Sequence, residues 1–295
     1  MRIVFLGTPE PAGRILDSIV AAGHEVLLVI TRPDAKRGRG GTLSPSPVKE
    51  AALRLGIPVS HELADLDHVN AELGVVVAYG AIISAVRLEK LPMLNVHFSL
   101  LPRWRGAAPV ERCILAGDEE TGVDVMTLEP TLDTGPIHLE LVTKVADKSA
   151  AALLEELTDL GAQAIVKVLN DPQLRAVSTP QSGEATYAAK LTAADFRISP
   201  SLSTEHALRV VRLGRTRIET PKGSLRIVLA RASELFVAPG QIRLLEGAVL
   251  LGCADGALEL LEVLPSGSRI MTGSAWWAGV RDEALDWSSV QLAGE

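Results

Sequence analysis

Two rhythms of apolar residues divide this chain. From the N-terminus to about residue 170, compact apolar runs alternate with stretches of helical period. Residues 2–6, 25–31 and 74–79 are almost unbroken runs of Val, Ile and Leu, the pattern of strands covered on both faces. Further strands are predicted at 94–98, 122–129 and 137–145. Between them fall helices: one ending near Gly23 with Ile15, Ile19 and Val20 on a face, one over 47–55, a short one before residue 94, and one over 108–116. A long amphipathic helix then places Leu153, Leu157, Leu160, Ala164, Ile165 and Val168 on one side. Strands alternating with helices predict a parallel α/β sheet.

The rhythm changes after Asp171-Pro172. Residues 172–203 are rich in Pro, Ser, Thr and Gln without periodicity, as in a connecting segment. A helix is predicted near 203–213. Short strand-like runs follow at 224–230, 247–251 and 257–263, separated by Gly, Pro and Asp, which fits a small β-barrel or sandwich. The expected organisation is a catalytic domain over 1–180, a linker over 181–203 and a β-barrel domain over 204–295. No internal repeat is present.

Composition narrows the class. The 295 residues are 47% hydrophobic but only 3% aromatic, so two mostly aliphatic cores are expected. A net charge of −7 argues against a uniformly basic nucleic-acid coat, though not against local basic surfaces. Two distant cysteines, Cys113 and Cys253, make no disulfide framework and favour a reduced, cytoplasmic setting. The opening Met1-Arg2-Ile3-Val4-Phe5-Leu6-Gly7 is too short an apolar run for a signal peptide, and no stretch is long enough to span a bilayer. A soluble protein is expected, and nothing in the sequence demands more than a monomer.

Candidate chemistry concentrates at the end of the fourth apolar run. Asn95 and His97 are two residues apart, so in a strand both side chains point to one side. An amide donor beside an imidazole suits a carbonyl that becomes tetrahedral. Alone, the pair reads as readily as a turn-forming Asn and a His bonded to backbone. The turn Leu132-Asp133-Thr134-Gly135-Pro136 changes the balance, because Asp133 follows a strand and ligands in open α/β sheets gather at strand carboxyl ends. Gly7-Thr8-Pro9 lacks the glycine spacing of a dinucleotide turn, and no Walker loop is present. His61, Asp65, Asp67 and His68 match no metal-ligand spacing, and no metal is expected. Two basic stretches stand out in an acidic chain. Arg32, Lys36, Arg37, Arg39 and Lys49 lie in or beside a glycine-rich loop at 32–47, and Arg209, Arg212, Arg215, Arg217, Lys222, Arg226 and Arg231 share their span with one acid, Glu219. Such clusters suggest phosphate contact.

With these residues assembled, the chain resembles the methionyl-tRNA formyltransferases. The resemblance rests on Asn95-Val96-His97, on Ser99-Leu100-Leu101-Pro102-Arg103-Trp104-Arg105-Gly106-Ala107-Ala108-Pro109, and on Leu132-Asp133-Thr134-Gly135. Phe5-Leu6-Gly7-Thr8-Pro9-Glu10, Pro45-Ser46-Pro47-Val48-Lys49, Val77-Ala78-Tyr79-Gly80 and Thr186-Tyr187-Ala188-Ala189-Lys190-Leu191 support it. It is strong over about residues 1–195 and weak beyond. It implies a Rossmann-like catalytic domain, a C-terminal β-barrel of oligonucleotide-binding type, 10-formyltetrahydrofolate as formyl donor and initiator methionyl-tRNA as acceptor. It implies Asn95, His97 and Asp133 as catalytic residues, and Ser99, Leu100, Leu101 and Pro102 with Val77, Ala78, Tyr79 and Gly80 around the folate. For the tRNA it implies Arg39 and Lys190, to which the basic residues Arg209, Arg212 and Arg215 are added from charge. Phe98 departs from the family, which has a small residue beside the catalytic His; the region 198–215 departs more. A formyltransferase acting on a sugar nucleotide or small amine would use the same triad. An RNA-binding protein with a decayed site is the third reading, disfavoured by the intact triad.

Overall fold

The computed structural model describes residues 1–37 and 41–290, and the chain divides into two units. One holds Met1–Val110, Glu119–Val145 and Ala152–Lys190; the other holds Glu111–Asp118, Ala146–Ala151 and the chain from Leu191 onward. The first unit begins β1 (Arg2–Gly7), α1 (Glu10–Ala21), β2 (Glu25–Ile30), β3 (Ala35–Arg37), β4 (Thr42–Ser44), α2 (Pro47–Arg54), β5 (Val59–Ser60), β6 (Leu73–Val77), α3 (Ala85–Lys90), β7 (Met93–His97) and β8 (Arg105–Gly106). There follow α4 (Pro109–Ala116), most of which belongs to the other unit, then β9 (Glu120–Thr127), β10 (Ile137–Lys144), α5 (Ala150–Asn170), α6 (Pro172–Ala176) and β11 (Tyr187–Ala188).

Local sequence explains most of these boundaries. Proline in the first turn of α1 costs no hydrogen bond, and Gly23 at φ 85° ends the turn that follows it. In α2 the Ser46 hydroxyl accepts the Lys49 N–H at 3.0 Å, with Pro47 in the first turn. Residues 32–47, expected as a loop, contain the β3–β4 hairpin, whose three-residue strands are too short and polar to show alternation.

Seven strands form one sheet in the order β10-β9-β7-β6-β1-β2-β5. The strands from β5 to β7 pair in parallel, which is the Rossmann-like part. The expectation of parallel strands throughout fails at β9 and β10, which pair antiparallel. Parallel pairing needs a crossover packed on the sheet. Here β9 runs antiparallel to β7 and β10 antiparallel to β9, so β9 alone opposes the other six strands. Along β7 the side chains alternate: Val96 and then Phe98 lie toward α5, where a Cβ on Gly161 would stand 3.0 Å from Val96 Cγ1 and 3.4 Å from Phe98 Cε1. The bulky Phe98 therefore fills core against a helical glycine, on the face opposite Asn95 and His97.

The second unit contains α7 (Thr204–Arg212), β12 (Arg217–Thr220), β13 (Gly223–Ser233), β14 (Gln241–Leu245), β15 (Ala248–Gly252), β16 (Ala257–Pro265), β17 (Met271–Thr272), α8 (Gly273–Trp277), β18 (Ala284–Asp286) and β19 (Ser288–Ser289). Its antiparallel sheet runs β18-β14-β15-β16-β13-β12-β19, with β17 on β16. Val210, Val211, Ile227, Leu251, Leu258, Trp277 and Trp287 share one core. Cys113 and Cys253 are buried and not disulfide-bonded. Among the described residues no helix is long and apolar enough to cross a membrane.

Candidate active site

The carboxyl ends of β1, β6 and β7 meet at one edge of the first unit's sheet. Val76 of β6 pairs with Asn95 of β7, so Val77 and the residues after it leave the sheet beside His97. Asn95 and His97 are 8% and 6% exposed, nearly closed off yet still accessible. Among the described residues the Asn95 side chain makes no hydrogen bond, an unusual state for a buried amide unless a ligand completes it.

His97 is held from both ends. Its Nε2 lies 2.9 Å from the Trp104 carbonyl. A carbonyl only accepts, so Nε2 carries the hydrogen and Nδ1 is the nitrogen left for chemistry. Nδ1 lies 3.8 Å from Asp133 Oδ2. That same Oδ2 accepts the Gly106 N–H at 2.8 Å, which fixes the carboxylate's aim. Asp133 reaches this position by a route the sequence argument did not anticipate. Because β9 runs antiparallel to β7, its carboxyl end lies beside Leu94, away from His97. The connection over residues 128–136 carries Asp133 back to the imidazole before β10 begins.

Residues 98–106 form a tightly bonded loop over the site. The Ser99 hydroxyl donates to the Arg103 carbonyl at 2.6 Å, and the Leu101 N–H donates to Asp124 at 2.6 Å. The Leu101–Pro102 peptide is cis. Trp104 has φ 62°, Asp133 φ 50° and Ala78 φ 46°, three of the five non-glycine residues of positive φ among those described. Left-handed backbone at non-glycine residues costs of order 1–3 kcal/mol each and gathers where surrounding bonds enforce it. Gly106 is the position where only glycine serves: its φ is 117°, and a Cβ there would meet the Ala188 carbonyl at 2.9 Å.

The bracing comes from residues that sequence reasoning assigned to a linker. β11 pairs in parallel with β8, and the Thr186 hydroxyl accepts the Trp104 N–H at 2.9 Å. Gln181 was missed altogether. Its Oε1 accepts from Arg105 Nε and Nη2 at 3.1 and 2.6 Å, while its Nε2 donates to the Asp133 and Gly135 carbonyls at 2.9 and 2.8 Å. One amide thus ties the Arg105 loop to the Asp133 turn. Nothing local in Thr179-Pro180-Gln181-Ser182-Gly183 signals this, since its partners lie 46 to 76 positions earlier in the chain.

Of the other candidate residues, Ser99 and Leu101 are buried and Leu100 and Pro102 half-buried in this loop. Ala78 and Gly80 are exposed, whereas Val77 is buried in the sheet and the Tyr79 ring packs among Leu66, Val76 and Ile83. Tyr79 therefore spends its ring on the core, with burial raising its phenol above the usual range. Lys190 is exposed at the end of the first unit. Arg39 lies outside the described residues.

The basic run of the second unit is less open than its sequence suggests. Arg209 donates to the Ala116 carbonyl and pairs with Glu205. Arg212 donates to the Lys148 and Ala146 carbonyls at 2.9 and 2.6 Å. Arg231 pairs with Glu259 at 2.6 Å and Lys222 with Asp282 at 2.9 Å. Arg215 is exposed over the Phe196 ring at 5.2 Å, and Arg217 is exposed with no partner among the described residues. Carbonyls at 116, 146 and 148, with Glu205 one turn back on the same helix, thus occupy Arg209 and Arg212. His61 is likewise spent on the Thr31 carbonyl at 2.9 Å and Asp67 on Arg87 and Lys90. No group of three or more His, Cys, Asp or Glu among the described residues is placed to hold a metal.

Comparison with known proteins identifies the family and the fold. The sequence profile of the formyl transferase family matches residues 1–169. The methionyl-tRNA formyltransferase of Clavibacter sepedonicus is 40% identical, the alignment covering 95% of this chain and 97% of that one. HypX of Aquifex aeolicus, solved with tetrahydrofolic acid, superposes with a TM-score of 0.64 at 19% identity over 94% of this chain and 47% of its own. An N-formyltransferase from Helicobacter canadensis, solved with folinic acid and dTDP-3-aminofucose, superposes with a TM-score of 0.68 at 17% identity over 88% and 98%. At such identities these structures speak to fold alone.

Proposed function

The chain belongs to the methionyl-tRNA formyltransferase family, and we propose that Asn95, His97 and Asp133 carry its chemistry. The enzyme transfers the formyl group of 10-formyltetrahydrofolate to the amino group of methionyl-tRNA. The observation that carries the residue assignment is the convergence of an unbonded buried amide, Asn95, with an imidazole whose free Nδ1 faces Asp133 at 3.8 Å.

The reaction has simple demands. The neutral amine attacks the formyl carbon, a C–N bond forms and the carbonyl oxygen takes up negative charge. Asn95 Nδ2 donates to that oxyanion, and a donor already in place for it is worth about 10²–10³ in rate. With Nε2–H committed to Trp104, the nitrogen of His97 that exchanges protons with the reacting groups is Nδ1. Asp133 beside it stabilises the imidazolium and helps take the amine proton, directly or through water. Collapse of the tetrahedral species breaks the bond to folate N10, which leaves with the proton His97 returns. Proton count balances: one leaves the amine and one arrives at N10.

Residues 99–102 and the exposed backbone of Ala78 and Gly80 are read as folate contacts. Arg39, Lys190 and Arg215 are read as tRNA contacts, with Arg209 and Arg212 shaping the second unit rather than meeting phosphate. We further read the catalytic part as 1–180, the connector as 181–203, and the antiparallel sheet within 204–295 as a barrel of oligonucleotide-binding type. The enzyme is proposed to act as a cytoplasmic monomer. The decisive experiment is formyl transfer from 10-formyltetrahydrofolate to charged initiator tRNA, with uncharged tRNA, free methionine and an amino sugar nucleotide as controls. Transfer to the charged tRNA alone is expected; preferential transfer to the sugar amine would overturn the acceptor assignment.

A further inference from the structure

Asp124 stands fully buried in the middle of β9, in the otherwise uncharged run Gly122-Val123-Asp124-Val125-Met126. No step of the reaction uses it. Its Oδ2 accepts the Leu101 N–H at 2.6 Å, and its Oδ1 is buried with no hydrogen-bond partner among the described residues. Two residues earlier, on the same face, Gly122 leaves a hollow: a Cβ there would come within 2.4 Å of Leu100 Cδ2. Strand β9 therefore grips the loop over the site at two successive residues. Leu100 sits where a side chain is missing, and the Leu101 amide sits on a carboxyl.

Directly opposite Asp124 in the sheet stand His97 on β7 and Glu140 on β10. Burial pushes the Asp124 carboxyl up to about 8, the Leu101 hydrogen bond opposing and Glu140 adding to the rise. Near neutral pH the group is thus mostly an uncharged acceptor.

We propose that Asp124 is a positioning residue for the formyl donor: by holding the Leu101 amide it fixes residues 99–102 against β9. The inference rests on reading 99–102 as the folate contact. Loss of the acceptor leaves the Leu101 N–H unpaired and the donor-binding segment loose.

The test compares Asp124→Leu, which removes the acceptor, with Asp124→Asn, which keeps it and cannot ionise. Steady-state kinetics are measured for both substrates at pH 7. For Asp124→Leu at pH 7, the donor KM is expected to rise about tenfold, the effect of one lost buried hydrogen bond. The KM for methionyl-tRNA should stay within about twofold. Asp124→Asn should keep the parent's donor KM within about twofold at pH 7, because its side-chain oxygen still accepts the Leu101 N–H. An unchanged donor KM in Asp124→Leu, or equal damage from both substitutions, would each overturn the proposal. Should Asp124→Leu not fold, Asp124→Ala takes its place with the same expected rise and the same overturning result. Hydrogen exchange with and without 5-formyltetrahydrofolate separates the two levels. If the ligand does not slow exchange over 99–103 in the parent, the folate-contact reading fails. If it slows exchange there equally in parent and Asp124→Leu, that reading stands and the role of Asp124 fails.

Discussion

Residues 99–106 and the run 209–231 both bring arginines into polar surroundings, yet they dispose of their hydrogen-bonding groups in opposite ways. In the first, backbone carbonyls and amides of the loop are consumed by Ser99, Asp124, Asp133, His97 and Thr186. What remains uncommitted is the Asn95 amide and His97 Nδ1. In the second, the side chains themselves are consumed, Arg209 and Arg212 by carbonyls and Arg231 by Glu259. Little beyond Arg215 and Arg217 remains free to meet a phosphate. A site is marked by the groups its surroundings leave unpaired, and charge along a sequence does not report that balance.

That contrast can be broken most directly at Asn95. Asn95→Ala should lower kcat by about 10²–10³ while leaving donor KM within a few-fold, as expected for an interaction made mainly in the transition state. Initial rates over both substrates check it; near-parental turnover would remove the amide from the mechanism.

Asp124 provides the next largest effect, read as stability. Its folded carboxyl is raised to about 8 from an ordinary value of 3.8. Between those values the native state binds more protons than the unfolded one, so the parent loses stability as pH rises through this window and levels off above it. The slope approaches about 1.4 kcal/mol per pH unit for one proton. Denaturant melts of Asp124→Asn against the parent at pH 5, 6, 7 and 8 should show the difference shifting steadily toward the variant.

Gln181→Leu is expected to lower kcat about tenfold, since it releases both Arg105 and the Asp133 turn and leaves polar groups unsatisfied. A fall in stability with unaltered kcat would reduce Gln181 to a structural tie. The smallest effects belong to the basic run. Arg212→Ala should cost about 1–3 kcal/mol of stability through its two stranded carbonyl partners while leaving the salt dependence of tRNA binding unchanged. Arg215→Ala should instead reduce the salt slope by somewhat under one unit. Titrations over a salt series distinguish them, and identical slopes for both variants would erase the contrast.

The parts of this arrangement legible in the sequence are those set by short-range periodicity. Asn95 and His97 share a face because a strand repeats every two residues, and the same rule sends Phe98 to the core. Six of the seven strands follow from their apolar runs; the two-residue β5 is too short to show one, and the reversed direction of β9 is not written in local pattern. Asp133 was identified as a site residue through a strand direction that does not hold, so its position owes nothing to the argument that first pointed to it. Asp124 did leave a trace, a lone acid in an apolar strand on the same face as Gly122 and Met126. Gln181 and Thr186 left none in local pattern, because their partners lie far back along the chain. The carbonyl acceptors of the α7 arginines, at 116 and at 146–148, likewise come from elsewhere in the chain and leave no local trace.

The β8–β11 pairing has a consequence for how the protein is made. All seven strands of the sheet are complete by Lys144, and α5 by Asn170, so a nascent chain emerging to that point holds every residue of the sheet. It still lacks Gln181, Thr186 and the strand that locks Arg105–Gly106. Maturation of the site therefore trails that of the sheet by some tens of residues, and a fragment cut after α5 would hold the triad without the clasp that aims it.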